Sequence, residues 1–286
     1  SLRRFRCAVN PRIGYEHDAV PPVREKRKVC VVGGGPAGMQ AAITLADRGH
    51  EVVLFEKERE LGGQICFADH VPFKRPMSDF RAWLVRQVRQ RNIDVRLGVE
   101  ADAETVAREN PDSVFAALGA VPLRPRIPGV DLPHVRFAVD ALCHPEACGD
   151  SVVVVGGGDT GCETALHLSR LGRRVVLVEM GPHLAPAAGF SARLALVSEL
   201  EDSPVECMTN TCCREIFPDR VEVEGGQGVL SLAADTVVLA LGSCALSGEA
   251  ERFRNVAEDF CMIGDCTGPR NVRDAVHAAY YAALWL

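Results

Sequence analysis

The chain has 286 residues, 24% of them charged, and a formal net charge of −6. This length favours about two domains, and the acidic balance provides no basic field that would attract nucleic acid or an anionic membrane. No apolar run approaches the ~20 residues that span a bilayer, and the basic start "SLRRFR" is not followed by the apolar region of a signal peptide. We therefore expect a soluble, cytoplasmic protein with neither nucleic-acid nor membrane partners.

The twelve cysteines are scattered through strand-like and helix-like sequence and do not form a loop-rich disulfide framework. Two closer pairs, Cys143 with Cys148 and Cys212 with Cys213, could form a metal or redox site. Neither pair has the CxxC spacing of a zinc or dithiol site, so the favoured interpretation is small reduced thiols.

The first strong motif is "VCVVGGGPAGMQAA", an apolar strand followed by a GxGxxG loop and a helix, and the next strand ends at Glu56. Gly33 permits a tight turn, Gly35 lets a pyrophosphate approach the backbone, and Gly38 allows close helix packing. The helix N-terminus offers free N–H groups and a positive dipole end to phosphates. Glu56 follows the first glycine by 23 residues, close to the ~20 expected for a carboxylate that holds a ribose diol.

The sequence next predicts a helix over residues 77–92, a strand in "DVRLGVEA" and a further strand in "SVFAALGA". The Pro-rich stretch "VPLRPRIPGVDLP" then indicates a crossover into a second domain.

The glycine-loop unit occurs a second time, in "VVVVGGGDTGCETA" followed by "LGRRVVLVE". Gly156 and Glu179 lie 123 residues after the first glycine and the glutamate of the first copy, and "TVVLALGS" lies 123 residues after "SVFAALGA". Gly158 and Gly161 take the second and third glycine positions. A single GxGxxG is a weak signal, whereas the whole unit repeated in register indicates a duplicated dinucleotide-binding domain.

After the second unit, the sequence predicts a helix in "SARLALVSELED", a hairpin in "REIFPDRVEVEGGQGVLSLAA" and a return crossover in "LGSCALSG". Near the C-terminus, "FCMIGDCTGPRNVRDAVHAAYYAA" places the pair Gly264 and Asp265 before a helix. The aspartate could simply cap that helix or form a turn.

These motifs resemble the flavoproteins that carry two dinucleotide-binding domains, of the glutathione and thioredoxin reductase type. "GGGPAG" with "EKERELGGQI" is similar to their FAD half, "GGGDTGCETA" to their nicotinamide half, and the Gly-Asp pair to their second FAD motif. In that motif the carboxylate holds the ribitol hydroxyls, and the following helix directs its N-terminus at the flavin. The resemblance implies an α/β fold of two Rossmann-like three-layer domains, in which the NAD(P) domain, 124–244, is inserted in a discontinuous FAD domain, 26–123 and 245–286.

The same resemblance implies the cofactor-binding residues. The implied FAD positions are Gly33, Gly35, Pro36, Ala37, Gly38, Glu56, Lys57, Gly63, Gln64, Ala101, Ala117, Gly119, Gly264, Asp265 and Val272. The implied NAD positions are Gly156, Gly158, Asp159, Thr160, Gly161, Glu179 and Gly242. Lys57 and Gln64 fit exposed positions near a turn equally well. No catalytic side chain is implied, because flavin and nicotinamide carry the chemistry.

The first 25 residues narrow the resemblance. "RCAVNPRIGYEHD" is similar to the linker that precedes the FAD domain in 2,4-dienoyl-CoA reductase, trimethylamine dehydrogenase and related enoate reductases. "ELGGQ", "IPGVDLP", "GCETA" and "IGDCTGPRN" recur in the same order in this old-yellow-enzyme-linked group. Residues 124–244 contain no CxxC, which argues against the dithiol route of thioredoxin reductase.

In that group the cysteine before "VNP" is the last of four ligands to a four-iron cluster, and it corresponds to Cys7. The other three ligands and the FMN-carrying TIM barrel do not occur in this sequence. We therefore expect the chain to be the C-terminal portion of a larger enzyme, with residues 1–25 as the linker, and its first residue, Ser, fits that expectation. Cys7 alone should hold no cluster.

The resemblance implies a relay in which NADH gives hydride to FAD and electrons pass through the cluster to FMN, which reduces an activated alkene. The partners implied are the barrel domain of the parent chain and, in the full-length enzyme, further copies of it. Two alternatives remain: a non-redox ADP-binding domain, as in trimethylamine dehydrogenase, and a free-standing NADH:acceptor reductase, as in the small subunit of glutamate synthase. Both glycine loops, Glu179 and the Gly-Asp pair favour hydride entry over the ADP alternative.

The nicotinamide cofactor is expected to be NADH, because Glu179 can accept both ribose hydroxyls but would repel a 2′-phosphate. Arg173 and Arg174 lie at the start of the same strand and could in principle reach such a phosphate, although a solvated turn is the more common role for such a pair.

Overall fold

The computed structural model describes residues 7–23 and 25–286. The chain forms two compact units: the first comprises the residues up to Val121 together with Cys244–Leu286, and the second is Pro122–Ser243. The second unit is therefore inserted in the first. The boundaries differ from the predicted ones by two residues on the outbound side and by one residue on the return.

The strands and helices are numbered in chain order. The strands are β1 (Lys28–Val32), β2 (Glu51–Glu56), β3 (Ile93–Leu97), β4 (Ser113–Ala116), β5 (Ala120–Pro122), β6 (Val135–Phe137), β7 (Ser151–Val155), β8 (Arg174–Val178), β9 (Glu206–Met208), β10 (Cys212–Ile216), β11 (Arg220–Gly225), β12 (Gly228–Ala233), β13 (Thr236–Leu239), β14 (Ser243–Ala245) and β15 (Asp259–Met262). The helices are α1 (Pro36–Arg48), α2 (Arg75–Arg89), α3 (Ala103–Ala107), α4 (Ala138–Cys143), α5 (Asp159–Arg170), α6 (Phe190–Glu201), α7 (Ser247–Glu251) and α8 (Val272–Trp285).

The first unit is a three-layer α/β structure on a parallel sheet with the strand order β15-β4-β1-β2-β3. Successive residues of β1 point to opposite faces of the sheet, as the period of a strand requires. Val29 and Val31 pack with α1, α2 and α8 on one face. Cys30 and Val32 pack with residues of α3 and α7 on the other. The central strands β1, β2 and β4 are buried on both faces, which explains why their residues are mostly apolar.

The second unit repeats this plan with the strand order β6-β13-β7-β8-β9, again parallel. On one face of the sheet, Val152 and Val154 of β7 pack against residues of α4, α5 and α6. The other face packs against a three-stranded antiparallel sheet, β10-β11-β12, through Val221 and Val223. The prediction of a single hairpin in this region was therefore incomplete: the segment forms a meander of three strands.

The duplicated strands keep their spacing of 123 residues in the structure, since β1 and β7 have matching bounds, as do β4 and β13. The two sheets differ in the origin of the edge strand beside β4 and β13. In the first unit it is β15, which comes last in the chain, and in the second it is β6, which precedes the glycine loop. Among the described residues, no helix combines the length and the hydropathy needed to cross a bilayer.

Candidate functional site

The first glycine of each loop adopts a backbone conformation that side chains disfavour. Gly33 has φ +107° and Gly156 has φ +106°. A Cβ at either position would collide with the neighbouring carbonyl group, lying 2.9 Å from the carbonyl carbon of Ala117 in the first unit and of Ala240 in the second. The chain can therefore make this turn beside the next strand only with glycine.

The third glycine of each loop brings the helix against the turn. A Cβ at Gly38 would overlap the carbonyl oxygen of Gly33 and lie 3.0 Å from its carbon. The same atom at Gly161 would overlap Gly156, 2.9 Å from its carbonyl carbon. The helix in each unit thus begins in direct contact with the strand end, as the packing role of the third glycine predicts.

The second glycine of each loop faces open space. Gly35 and Gly158 occupy the N-cap positions of α1 and α5, and neither has a side-chain cap. A Cβ at Gly158 would meet nothing within 4 Å, and at Gly35 it would approach only the Cα of Gly63, at 3.9 Å. Each unit therefore offers uncapped amides of a long helix beside bare backbone, which suits a pyrophosphate.

The acidic residue at the end of the second strand is hydrogen-bonded to its own glycine loop. Glu56 accepts from the amide of Gly34 at 2.6 Å, and Glu179 accepts from the amide of Gly157, also at 2.6 Å. In each case the other carboxylate oxygen accepts from the amide two residues further along, at 2.8 and 2.6 Å. Because backbone amides fix both carboxylates, each is held at the carboxyl edge of its sheet, where it can accept from ribose hydroxyls.

A leucine that the sequence analysis missed covers each loop. Leu61 packs on Gly34, and Leu184 packs on Gly157, where a Cβ would lie 2.7 Å from the leucine Cδ2. The residue after each leucine donates its amide to the carbonyl of the same glycine, at 3.0 Å and 2.7 Å. The two leucines are themselves 123 residues apart, so extending the repeat beyond the glutamates would have found them.

The Gly-Asp pair lies against the first glycine loop. Gly264 has φ +70°, and a Cβ there would lie 2.7 Å from the Cβ of Ala37 in the first turn of α1. Asp265 accepts from the amide of Arg270 at 3.2 Å, and burial raises the pKa of its carboxyl group above the ordinary value. The fold thus brings together two motifs that are more than 200 residues apart in sequence.

The alternative role for this aspartate, a helix cap, belongs to another residue. Asn271 is the N-cap of α8 and accepts from the amide of Asp274 at 3.0 Å. Val272, the first residue of the helix, is half-buried and packs against the core of the first unit.

The other predicted FAD positions are distributed around the same edge of the sheet. Pro36 is the first residue of α1, and Gly63 has φ +54° beside Gly35. Gln64 donates from Nε2 to the carbonyl of Ala120, whereas Lys57 is exposed. The remaining three are Ala101, which packs on the sheet face next to α3, Ala117, whose amide donates to Val32 at 2.8 Å, and Gly119, whose carbonyl accepts from Leu246.

The other predicted NAD positions lie at the corresponding edge of the second unit. Asp159 begins α5, and the described residues supply no hydrogen-bond donor to its buried Oδ1. Thr160 is exposed, and the carbonyl of Gly242 accepts from Leu123 at 2.9 Å. A hydroxyl or amide group of a bound dinucleotide could donate to the free oxygen of Asp159.

Arg173 and Arg174 lie at the opposite edge of the sheet from Glu179. Arg173 donates to Asp150 at 2.8 Å and Arg174 donates to the Ser151 hydroxyl at 2.7 Å, at the amino ends of β8 and β7. The full length of β8 separates them from the glutamate. They therefore do not supply a 2′-phosphate site in this unit.

The cysteines form no site that the structure supports. None of the twelve forms a disulfide. Burial raises the pKa of Cys148 and raises that of Cys213 to about 11, so both thiols stay protonated near neutral pH. Within residues 7–23 and 25–286, no three metal-ligating side chains form a group. The carbonyl of Cys7 lies 2.9 Å from Nε2 of His277, which ties the linker to α8.

The geometry defines a protein with two dinucleotide-binding units, the second inserted in the first. The chain belongs to the pyridine nucleotide-disulphide oxidoreductase family, whose pattern matches residues 27–282. This confirms the predicted fold class and the prediction of a flavin-dependent pyridine-nucleotide oxidoreductase domain. The family implies FAD and NAD(P)H as its cofactors.

Similar proteins narrow the assignment. The chain is 39% identical to a bilirubin reductase of Mediterraneibacter gnavus and 38% identical to an NADH oxidase of Thermoanaerobacter brockii, over 97% and 98% of its length but 44% of theirs. It superimposes on a solved 2-naphthoyl-CoA reductase with a TM-score of 0.92 and 32% identity, over 98% of this chain and 43% of that one. The chain spans less than half the length of these relatives, and they confirm the resemblance to the old-yellow-enzyme-linked group.

Proposed function

We propose that the first unit binds FAD, that the second binds NADH, and that the chain serves as the entry point for hydride in a larger reductase. The observation that carries the cofactor assignment is an asymmetry between the two units. In the first unit, the edge strand β15 leads into Gly264 and Asp265 beside the glycine loop. In the second unit, the equivalent strand β6 leads directly into α4 without such a pair. A second ligand-holding carboxylate therefore marks the unit that takes the longer flavin dinucleotide.

The geometry of the two units supports a proposal for the residues that would hold each cofactor. The amides at the start of α1 and α5 would take the two pyrophosphates, and Glu56 and Glu179 would accept from the adenosine riboses. Asp265 would accept from ribitol hydroxyls, and the free Oδ1 of Asp159 offers an acceptor near the nicotinamide dinucleotide. When both cofactors are bound, the nicotinamide supplies the hydride and the flavin accepts it, and the protein's part is to bind, orient and exclude water.

The larger enzyme is proposed to contain an N-terminal FMN-carrying TIM barrel and a four-iron cluster that passes electrons to it. Two observations support this: the relatives are more than twice as long as the chain, and Cys7 in "RCAVNP" stands where the last cluster ligand would be. We propose that the larger enzyme reduces an activated alkene. Iron and sulfide analysis of the 286-residue chain should find no stoichiometric cluster, and finding one would overturn the assignment of missing ligands.

The absorbance of the purified chain tests the cofactor assignment and separates it from the ADP-binding alternative. After reconstitution with FAD, the chain should show one flavin per chain, and NADH added without oxygen should bleach the flavin band. Nucleotide released by heat should be FAD. A colourless chain that retains ADP would contradict the proposal. Reduction of ferricyanide without any barrel domain would favour the free-standing acceptor reductase if the chain also proved to be complete in its own gene.

A further inference from the structure

An arginine from the next helix holds each covering leucine in place. In the first unit, Arg81 of α2 donates from Nε to the carbonyl of Leu61 at 3.0 Å. In the second unit, Arg193 of α6 donates from Nε to the carbonyl of Leu184 at 2.9 Å. The leucines obey the 123-residue repeat, but the arginines are 112 residues apart, so the same contact is made from two helices that are out of register.

The contact with Leu61 is one of several that Arg81 makes with this loop. The Arg81 side chain is 13% exposed, and its guanidinium also pairs with Glu60 at 2.6 Å and with the carboxylate of Asp69. A Cβ at Gly62 would lie 2.9 Å from the Cδ of Arg81, so the arginine fits closely against the glycine backbone. One side chain therefore fixes both ends of the segment 60–69 against α2.

This segment forms the side of the first glycine loop. The amide of Gly62 donates to the carbonyl of Gly34 at 3.0 Å, and a Cβ at Gly63 would lie 3.0 Å from the Cα of Gly35. The peptide that Arg81 holds is thus joined directly to the backbone that would contact the FAD pyrophosphate. In the second unit, the amide of Ala185 makes the equivalent bond to Gly157 at 2.7 Å.

We propose that Arg81 and Arg193 are positioning residues, each of which holds the leucine segment of one unit in the conformation that its dinucleotide requires. This inference rests on the proposed function, because it takes FAD for the first unit and NADH for the second. Neither arginine is assigned a contact with a cofactor. Each acts through the carbonyl of its leucine, and losing that bond lowers the fraction of molecules with a binding-competent loop.

A lysine variant of either arginine is the control for the other, because each should weaken the binding of one cofactor and leave the other unchanged. Lysine at either position keeps the charge but cannot supply the planar donor set of arginine. Arg81→Lys should raise the apparent Kd for FAD about tenfold if the competent fraction falls to about a tenth, with the Kd for NADH unchanged. Arg193→Lys should raise the Kd for NADH by a similar factor and leave FAD retention unchanged. Arg86→Ala, an exposed arginine of α2, should change neither.

The measurements are FAD titration of the apoprotein by fluorescence quenching and NADH titration of the FAD-loaded chain without oxygen. For Arg193→Lys, the flavin reduction rate at saturating NADH should stay near wild type, since only the binding-competent fraction changes. Should Arg81→Lys fail to fold, Glu60→Gln tests the first unit, because it removes one charge partner of Arg81 and should also raise the Kd for FAD.

The outcomes separate this inference from the proposed function. A wild-type chain that binds no FAD would overturn both. A wild-type chain that binds both cofactors, together with lysine variants whose two Kd values lie within twofold of wild type, would overturn the positioning role alone. If both lysine variants lost both cofactors equally, the arginines would be general stabilising residues and the inference would fail.

Discussion

The carboxylate of Glu179 accepts a hydrogen bond of 2.6 Å from the amide of Gly157, and it is thereby held at the mouth of the second glycine loop. A carboxylate in this position can accept from both hydroxyls of an adenosine ribose, but it would face the charge of a 2′-phosphate. The fixed position of Glu179 therefore leads to a test of whether the chain uses NADH or NADPH.

We expect flavin in the wild-type chain to be reduced by NADH in preference to NADPH. Partly screened repulsion by Glu179 is worth about 1–3 kcal/mol, or roughly 5- to 150-fold in discrimination. Stopped-flow reduction of the bound flavin measures the preference, and Glu179→Ala should narrow it. Arg174→Ala is the control, because Arg174 bonds to Ser151 at the other end of the strand and should leave the preference unchanged. Equal reduction of the wild-type chain by both cofactors would contradict the assignment.

We expect Asp265→Ala to lower the flavin-to-protein ratio after gel filtration, because the variant lacks the acceptor that we propose for the ribitol hydroxyls. Asp259→Ala is the control, since it alters a carboxylate at the opposite end of β15 that pairs with Arg27. An unchanged ratio in Asp265→Ala would count against the assignment of FAD to the first unit.

The wild-type chain should also lose FAD as pH falls. Burial raises the pKa of Asp265 above its ordinary value of 3.8, so protonation of the carboxyl, which removes acceptor capacity, begins at a higher pH than for an exposed aspartate. The affinity contributed by the carboxylate is thus present above the raised pKa and lost below it. FAD titrations from neutral pH down to the ordinary value of 3.8 measure this loss, and Asp265→Asn should show a flatter profile. Parallel profiles for the two proteins would exclude Asp265 as the titrating group.

Alanine at two glycines of the first loop should separate a loss of stability from a loss of FAD binding. Gly38→Ala introduces a Cβ that overlaps the Gly33 carbonyl, and it should lower the free energy of unfolding by about 3 kcal/mol. Gly35→Ala introduces a Cβ into open space and should cost about 1 kcal/mol or less, yet block FAD. Urea unfolding of the apoproteins and FAD titration measure the two effects. Normal FAD affinity in Gly35→Ala would show that no phosphate approaches that backbone.

Glu109 should stabilise the first unit in a pH-dependent way. Hydrogen bonds from Arg96 at 2.6 Å and Lys28 at 3.0 Å lower the pKa of its carboxyl to about 2. Because this folded-state pKa lies below the ordinary 4.5, the stabilisation is present above pH 4.5 and lost as pH falls toward 2. Glu109→Gln should therefore lower the free energy of unfolding by about 1 kcal/mol at pH 7, a modest value because the pair reaches solvent.

Urea unfolding of both proteins at several pH values measures this difference. The curves of wild type and Glu109→Gln should converge at acid pH. A difference that stays constant from pH 7 to pH 3 would mean that the substitution acts through packing and not through the charge.

The duplicated architecture could be predicted from the sequence because its constraints are local. Gly38 meets the carbonyl of Gly33, and Glu56 meets the amide of Gly34, so both contacts lie within one strand, loop and strand, and the second copy repeats them at a fixed offset. The helices α2 and α6 were likewise predicted to within a few residues, because the segments after Pro76 and after Gly189 contain no further proline or glycine until the helices end.

What the sequence could not reveal depends on contacts between distant elements. The meander β10-β11-β12 was read as one hairpin, since β10 is half exposed and has the polar pair Arg214 and Glu215 beside a single large apolar residue, Ile216. Arg81 and Arg193 were missed because they reach their leucines from helices that do not share the repeat. The convergence of Gly264 on Ala37 could be inferred only from the family resemblance, since nothing local in either segment requires it.

The different origins of β15 and β6 determine when each sheet can close during synthesis. The second unit has all its strands once Leu239 has emerged from the ribosome, because its edge strand was made early. The first unit must wait, with the edge of β4 open, until the polypeptide has passed through an entire intervening domain and returned with β15. An open sheet edge exposes unpaired backbone N–H and C=O groups, which can pair with the wrong strand in a nascent chain. The first unit should therefore complete its fold after the second. A chaperone that binds unfolded chains during synthesis should increase the yield of the first unit more than that of the second.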